Sequence, residues 1–207
     1  MVAGSLWAGP VTVNNPSFEN PALACAPSNE CWQSGSITGW TPSGVWATFK
    51  PGPAQVNSVP DGSQILGLGF DGSGEVDQDT LTQVVANTTY TLSVMIGRRI
   101  DFAMSDYSIG LLGLQTQSDT VSPTAGNFLL DTLVFTSGGP GDPNIGKEII
   151  IQLTATITPP VFERQTDFDS VSLDATTSVV GGSAPEPSAF VLAGLGLLPL
   201  ALLRRRR

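Results

Sequence analysis

The chain has 207 residues, 18 of them acidic and 9 basic, and its formal net charge at pH 7 is −9. It contains no histidine, which excludes a Ser-His-Asp or Cys-His nucleophile, a histidine general base and a histidine zinc site. Phosphate binding needs a basic surface, so we predict no nucleic acid among the partners.

Residues 1–10 contain neither a basic region nor an apolar stretch long enough for a complete signal peptide. Their small residues are typical of the end of such a signal, with a cleavage point near Ala8 or Gly9. We interpret 1–10 as the remnant of a signal peptide or a disordered N-terminus, and expect the true start to lie upstream.

The two cysteines, Cys25 and Cys31, flank Pro27 and Asn29 in a segment typical of a loop. In an oxidising compartment such a pair can close a small ring. Two thiols without histidine do not complete a zinc site. We therefore predict a disulfide that constrains this loop.

Residues 11–177 are predicted to form one all-β domain, because glycine, proline, serine and threonine are frequent and no long apolar segment has a period of 3.6. The predicted strands are 44–49, 64–70, 81–85, 89–98, 107–114, 127–136, 148–157 and 166–175. Residues 71–79 are interpreted as an acidic turn rather than a calcium loop, since they lack the closing glutamate of an EF-hand. Eight or nine strands favour a two-sheet antiparallel sandwich, and in particular a jelly roll.

The C-terminal end has three parts in order. A linker, 178–188, carries the motif Pro185, Glu186 and Pro187, an apolar segment covers 189–203, and the chain ends with Arg204, Arg205, Arg206 and Arg207. The arginines resist translocation and hold that end in the cytoplasm. As a helix the apolar segment would be roughly 22 Å long, which is short for a hydrocarbon core of about 30 Å. An unprocessed membrane anchor is the alternative to a sorting tail.

This tail resembles that of the PEP-CTERM proteins of Gram-negative bacteria, whose Pro-Glu-Pro motif is recognised by the membrane protease exosortase. The resemblance implies exosortase and the inner membrane as partners. It also implies an exported protein that passes through an inner-membrane-anchored intermediate to the cell surface or extracellular matrix.

A second resemblance covers most of the domain. The segments 15–19 (Asn-Pro-Ser-Phe-Glu), 39–40 (Gly-Trp), 60–62 (Pro-Asp-Gly), 81–94 and 167–173 (Asp-Phe-Asp-Ser-Val-Ser-Leu) are similar, in order and spacing, to motifs of the galactose-binding-like jelly rolls. That group includes many carbohydrate-binding modules. The resemblance implies a polysaccharide or glycan as ligand and a structural calcium ion between the N- and C-terminal strands.

The calcium ligands implied by this resemblance are Glu19 and Asp169, with the backbone of Asn15 or Asn20. Asp169 shares its strand parity with core positions, so its carboxylate is expected to point inward unless a bulge intervenes, and a buried carboxylate needs a partner. The alternative is that both carboxylates accept hydrogen bonds from the backbone or from Arg164.

Sugars stack on aromatic rings, and we predict Trp46, Phe49 and Tyr107 as ligand-binding residues, with Arg98 and Arg99, followed by Asp101, as a polar clamp. These residues could also belong to the core or to surface ion pairs. The leading hypothesis is a non-enzymatic, calcium-stabilised surface protein that binds carbohydrate, and a purely structural surface protein is the second.

A third hypothesis is catalytic. The domain resembles the calcium-dependent hapalindole-type terpenoid cyclases, in which a carboxylic acid protonates an indole substrate held among aromatic rings. Such chemistry needs a neutral acid and π-faces rather than a histidine. On this hypothesis Asp169 would act with Tyr107 or Trp46.

Overall fold

A computed structural model describes residues 7–25, 31–158 and 163–178. Twelve strands form in this part of the chain: β1 (Trp7–Val11), β2 (Cys31–Gln33), β3 (Thr41–Gly44), β4 (Trp46–Lys50), β5 (Ile65–Phe70), β6 (Gly74–Gln83), β7 (Thr88–Gly97), β8 (Asp106–Leu111), β9 (Gln115–Ser118), β10 (Phe128–Thr136), β11 (Glu148–Thr156) and β12 (Arg164–Thr177). Within those ranges, no helix has the length and apolar character to cross a membrane. The predicted sorting motif, the apolar segment 189–203 and the terminal arginines lie outside the described residues.

The strands form two antiparallel sheets, which confirms the predicted two-sheet sandwich. The first sheet has seven strands in the order β10-β7-β12-β5-β4-β2, with β1 pairing with β12. The second has five strands in the order β3-β6-β11-β8-β9. Strand β12 therefore lies in the middle of the seven-stranded sheet, between β7 and β5.

The main core lies between the two sheets and is apolar. Alternate residues of each strand enter it, as expected for a strand with one buried face. On β5 and β12 the inward residues are Leu66, Leu68 and Phe168, all fully buried. We call the opposite side of the seven-stranded sheet its outer face. A smaller apolar cluster of Phe49 and Ile65, with Val56, covers part of that outer face.

A β-bulge in β12 changes the direction of Asp169. The register with β7 shifts between Asp169 and Ser172, and Ser170 has a φ of 50°. Phe168 and Val171 both enter the core, so the bulge breaks the simple alternation between them. Asp169 therefore lies on the outer face, although sequence parity placed it inward.

Strand β6 begins at Gly74, within the segment that was interpreted as an acidic turn. Its carboxylates, such as Glu75 and Asp77, are half-buried and alternate with the buried residues Val76 and Gln78. The buried face contains few large apolar side chains, so the period of two was weak in the sequence. The prediction of a turn over 71–79 is therefore wrong beyond its first three residues.

Candidate functional site

A cavity of about 850 Å³ opens on the outer face of the seven-stranded sheet. Four aromatic side chains line it: Trp32, Phe49, Phe70 and Phe102. Trp46 borders it, with its side chain packed against the main core. The polar lining includes Gln165 from the central strand β12 and Arg99 from the loop after β7. The site therefore combines a largely aromatic wall with a few polar groups, which is the usual composition of a small-molecule site.

Two glycines of β5 form the floor of this cavity. Gly67 and Gly69 alternate with the core residues Leu66 and Leu68, so they occupy the outer face. A Cβ atom at Gly67 would overlap the side-chain amide of Gln165. Glycine at this position lets a neighbouring side chain lie directly on the strand backbone, which is a recognised use of glycine within a strand.

Asp167 lies beneath Gln165 and is fully buried. Its backbone neighbours in the sheet are Gly67 on β5 and Gly97 on β7, so no side chain from these positions shares its space. Nε2 of Gln165 donates a hydrogen bond of 2.6 Å to Oδ1 of Asp167. The other oxygen, Oδ2, has no hydrogen-bond partner among the described residues. Asp167 is thus an enclosed carboxyl group with one unpartnered oxygen, and it lies beneath the cavity lining rather than on it.

Burial raises the pKa of Asp167 to about 7, because an anion loses its hydration there. The hydrogen bond from Gln165 and the positive charge of Arg99 lower the pKa, whereas the negative charge of Asp101 raises it. A proton donor that works near neutral pH needs a pKa in this range.

Arg99 is held rigidly at the side of the cavity. Its Nε and Nη2 donate to the two carboxylate oxygens of Asp101 at 2.8 and 2.6 Å. Its guanidinium carbon lies 4.2 Å from the ring centroid of Phe102 and 5.3 Å from that of Phe49. The remaining Nη1 donates to Oε1 of Gln165 at 3.4 Å. A bidentate ion pair and two aromatic faces together leave the guanidinium little freedom.

The structure brings only some of the predicted ligand-binding residues to this cavity. Phe49 lines it, and Trp46 borders it while its side chain packs against the main core. Arg98 does not line it; its backbone amide donates to Asn127, just before β10, and its neighbour Arg99 occupies the cavity wall instead. Of the predicted clamp residues, Arg99 pairs with Asp101 and lines the cavity, and the clamp itself stays a prediction.

Tyr107 lies between the sheets rather than in the cavity. Its ring packs edge-on to Phe168 with centroids 6.3 Å apart, and its hydroxyl donates to Asp131 at 2.7 Å. Burial raises the pKa of Tyr107 to about 12, so the phenol stays neutral. This hydrogen bond joins β8 of one sheet to β10 of the other, which gives Tyr107 a place in the core.

Cys25 and Cys31 are joined by a disulfide in the structure. Cys31 begins β2 and also lines the cavity. The bond therefore ties the short edge strand at the cavity wall to the segment that precedes it.

Glu19, one of the predicted calcium ligands, is engaged by the loop before β5. One carboxylate oxygen accepts hydrogen bonds from the backbone amides of Ser63, at 2.7 Å, and Gln64. The other accepts from the hydroxyl of Ser63 at 3.2 Å. Two backbone amides and one hydroxyl thus hold the two carboxylate oxygens of Glu19.

Asp169 is also engaged by the backbone. Its two oxygens accept from the amides of Asp61 at 3.0 Å and Ser170 at 2.7 Å. Burial raises the pKa of Asp169 to about 7; these hydrogen bonds oppose that effect, and the charges of Asp61 and Glu19 add to it. The structure therefore shows the hydrogen-bonded alternative, with backbone donors.

Asn15, the third predicted calcium ligand, is held by hydrogen bonds as well. Its side-chain amide bonds to the backbone of Asn20 and Thr38, and its own carbonyl accepts from Nε1 of Trp40 at 3.2 Å. Within residues 7–25, 31–158 and 163–178, no three acidic or thiol side chains form a group that could hold a metal ion. The assignment of Glu19, Asp169 and Asn15 as calcium ligands stays a prediction.

Sequence reasoning did not single out Asp167, Gln165 or the glycine floor. A signal was present in the segment 65–70, Ile-Leu-Gly-Leu-Gly-Phe, where leucine alternates with glycine. A strand with large residues on one face and only glycine on the other leaves room for a close neighbour or a ligand. That pattern could have directed attention to the outer face of the seven-stranded sheet.

Residues 9–174 match the model of the HpiC1-like family, described as HpiC1 cyclase. Three similar solved structures are each 20% identical to the chain: an apo cyclase from Fischerella sp. and two complexes from Fischerella sp. TAU. The first has a TM-score of 0.68 and covers 81% of this chain and 96% of its own. The Stig cyclase Fisc in complex with (3Z)-3-(1-methyl-2-pyrrolidinylidene)-3H-indole has a TM-score of 0.67, and the match covers 82% of this chain and 98% of that chain. A cyclase in complex with 4-(1H-indol-3-yl)butan-2-one has a TM-score of 0.66, and the match covers 81% of this chain and 97% of that chain. No curated protein matches the chain.

These findings correct the leading interpretation of the sequence. The family match covers the predicted carbohydrate-binding domain and identifies cyclases, so a carbohydrate-binding surface protein of the PEP-CTERM group is wrong. Exosortase and a polysaccharide as partners, and the expectation that the protein is not an enzyme, are wrong for the same reason. The third hypothesis of the sequence analysis fits the match. The chain belongs to the HpiC1-like cyclase family.

Proposed function

We propose that this protein is an acid-catalysed cyclase, in which the aromatic cavity binds an indole-containing or terpenoid-like substrate and Asp167 donates the proton. One observation carries the proposal: a fully buried carboxyl group lies directly beneath Gly67 and Gln165, two residues that line the aromatic cavity. Because the chain contains no histidine, a carboxyl group that stays neutral near pH 7 is the most suitable acid in the site.

The proposed reaction is an isomerisation. The side chain of Gln165, which covers Asp167 on the cavity side, moves aside, and the proton of Asp167 moves to a carbon of a substrate double bond. The resulting cation is attacked by a second π-system, which forms the new carbon–carbon bond. Loss of one proton then restores neutrality, and the Asp167 carboxylate or water accepts it. No oxidant or reductant is needed. The faces of Phe49, Phe70 and Phe102 stabilise the cation through their quadrupoles.

The size and chemistry of the cavity support an indole-type substrate. A volume of about 850 Å³ falls within the range of about 300–1,000 Å³ for small-molecule sites. The ligands in two of the similar structures, 4-(1H-indol-3-yl)butan-2-one and (3Z)-3-(1-methyl-2-pyrrolidinylidene)-3H-indole, both contain an indole ring system. A flat, largely apolar ring of this kind suits a wall made of aromatic side chains.

The first test of this proposal is ligand binding. We expect 4-(1H-indol-3-yl)butan-2-one to bind, and Phe70→Ala to weaken binding about threefold to tenfold, because one aromatic contact is lost. Isothermal titration calorimetry measures both. The matched control is Leu130→Ala, which removes an exposed apolar side chain of β10 away from the cavity. Equal loss in the two variants, or no binding to the wild-type protein, contradicts the proposed site.

We also propose that calcium stabilises the folded domain, as the resemblance to calcium-dependent cyclases suggests, although the described residues do not identify its ligands. An ion that binds only the folded state raises the midpoint of thermal unfolding. We expect a higher midpoint in millimolar calcium than in EDTA, with magnesium at the same concentration as the control. Identical midpoints in calcium and EDTA contradict this part of the proposal.

We also propose that the protein is exported. The linker 178–188, the transmembrane segment 189–203 and the assignment of the sandwich as a jelly roll likewise stay predictions. The disulfide between Cys25 and Cys31 supports export, because such bonds persist in oxidising compartments.

A further inference from the structure

We propose that the cavity selects an aromatic substrate that carries a carboxylate, and that Arg99 is the residue that binds this group. The inference rests on the proposed function, because it names the chemical class of the substrate for the same cavity. The ligands of the two similar complexes carry no carboxylate, so this specificity distinguishes the present chain from those cyclases. Three features of the cavity lining carry the inference: its charges, its unused hydrogen-bond donors and its exposed aromatic rings.

The first feature is that the charged residues of the lining are both basic. The chain has 18 acidic and 9 basic residues, yet the described residues that line the cavity include Arg99 and Lys50 and no aspartate or glutamate. Asp101, the ion-pair partner of Arg99, is not part of the lining, and its side chain is 39% exposed. A cleft lined by charges of one sign attracts ligands of the opposite sign. The cavity is therefore suited to an anion, in contrast to the acidic chain as a whole.

The second feature is that Arg99 has hydrogen-bond donors to spare. A guanidinium carries five N–H groups in one plane. Asp101 accepts from Nε and Nη2, and Gln165 accepts from Nη1, so one N–H on each terminal nitrogen has no partner among the described residues. Arg99 is only 9% exposed and lines the cavity, so a partner for these donors has to enter through the cavity. A carboxylate is the group that a guanidinium binds most strongly.

The amide oxygens of the lining are already engaged, which leaves donors rather than acceptors for a ligand. Oε1 of Gln55 accepts from the backbone amide of Gly52 at 3.0 Å, and Oε1 of Gln165 accepts from Arg99. Gln55 neighbours the loop that carries Arg99, because its backbone carbonyl accepts from the amide of Ile100 at 2.8 Å. Its side-chain Nε2 is thus a further donor on this side of the cavity. A carboxylate, which carries only acceptors, complements such a lining.

The third feature is a pair of exposed aromatic side chains. Trp32 is 72% exposed and Phe70 is 37% exposed, and both line the cavity. A flat ligand ring that covers these surfaces gains the free energy of apolar burial. We therefore expect the carboxylate of the ligand at Arg99 and its ring against Trp32 and Phe70.

Three ligands of nearly equal size test the proposal. They are 3-(1H-indol-3-yl)propanoate, its amide and 4-(1H-indol-3-yl)butan-2-one, which share one ring and one two-carbon chain and differ only in the terminal group. We expect the wild-type protein to bind the propanoate about tenfold or more tightly than either neutral ligand, because hydrogen bonds between charged groups are the stronger ones. Isothermal titration calorimetry measures the three dissociation constants.

Variants of the two adjacent arginines assign this preference to one side chain. Arg99→Met should reduce the preference for the propanoate over the amide to within about threefold, because the charged donors are lost. Arg99→Lys keeps the charge without the planar fork and should retain part of the preference. Arg98→Met is the matched control: it removes the same charge from a residue that does not line the cavity, and should leave the preference unchanged. The preference is a ratio measured within one protein, so a general weakening of the cavity does not imitate the expected result.

The possible outcomes separate this inference from the proposed function. Equal binding of the three ligands by the wild-type protein overturns the selectivity and leaves the proposed cyclase intact. A preference that survives in Arg99→Met, or that is lost equally in Arg98→Met, overturns the role of Arg99. Failure of all three ligands to bind contradicts the indole site on which the inference rests. A preference that depends on Arg99, combined with full turnover by Asp167→Asn, supports carboxylate recognition and overturns Asp167 as the acid.

Discussion

Replacing Asp167 with asparagine is expected to reduce kcat for cyclisation of a 3-alkenylindole by about 10² to 10⁴, the range that a positioned general acid contributes. The variant keeps the shape of the neutral acid and can still accept the hydrogen bond from Gln165 through Oδ1. It loses only the acidic proton. The measurement is the formation of a product with the same mass as the substrate, followed by chromatography and mass spectrometry.

Two controls separate this effect from a general loss of structure. The dissociation constant for 4-(1H-indol-3-yl)butan-2-one should stay within about threefold in Asp167→Asn, because the aromatic wall is unchanged. Asp131→Asn alters another buried aspartate, which bonds to Tyr107 between the sheets and does not line the cavity. It should retain wild-type turnover. Full activity in Asp167→Asn, or equal losses in the two variants, would show that Asp167 is not the acid.

The sequence predicted the strands whose inward residues are large and regularly spaced. The predicted 89–98 and 127–136 differ by a residue from β7 (Thr88–Gly97) and β10 (Phe128–Thr136). The short strands at sheet edges were missed because they carry no such pattern. β3 is Thr-Pro-Ser-Gly, and its place in the sheet depends on pairing with β6. Strand β1 spans the domain boundary that was predicted after residue 10. Its position depends on pairing with β12, and the local sequence does not show a contact between residues so far apart in the chain.

The candidate site was harder to predict than the fold, for two physical reasons. The first is the bulge at Ser170, which reverses the relation between Asp169 and the core. The second is that the raised pKa of Asp167 comes from its burial among residues of other strands, and not from its neighbours in sequence. Asp167 is flanked by glycines from two strands that are distant in sequence, and no local pattern shows that these positions meet. Trp46 and Phe49 could be predicted because aromatic residues are informative wherever they occur.

The resemblance to carbohydrate-binding modules misled the functional interpretation for a related reason. The motifs that carried it, such as 15–19 and 167–173, hold the two ends of the domain together. Asn15 bonds to the backbone of Asn20 and Thr38, and Phe18 packs against Trp40 in the core. Such contacts specify a sandwich and do not specify the ligand of its outer face, and a shared fold hosts many functions.

The stability of the protein should depend on pH in a way that Asp167→Asn removes. Burial raises the pKa of Asp167 to about 7 in the folded state, whereas an aspartate in the unfolded chain titrates near 3.9. Between about pH 4 and pH 7 the unfolded chain has lost this proton and the folded protein still holds it. The folded state then binds more protons, so the free energy of unfolding falls as pH rises through this window. Above about pH 7 both states have lost the proton and the difference is constant.

The expected size of this effect is large for a single side chain. A difference of about three pKa units corresponds to a free energy on the order of 4 kcal/mol. Relative to the wild-type protein, Asp167→Asn should therefore be nearly equal in stability at pH 4 and more stable by up to about 4 kcal/mol at pH 8. Urea unfolding of both proteins at intervals between these limits measures the difference. Asp169, whose pKa burial also raises to about 7, is present in both proteins, so its contribution cancels.

Parallel stability curves for the two proteins would mean that Asp167 is already ionised in the folded state, which is incompatible with its use as a proton donor. A gap that opens between pH 4 and pH 7 would show that the folded protein gives up stability at neutral pH to keep a buried acid beside its cavity.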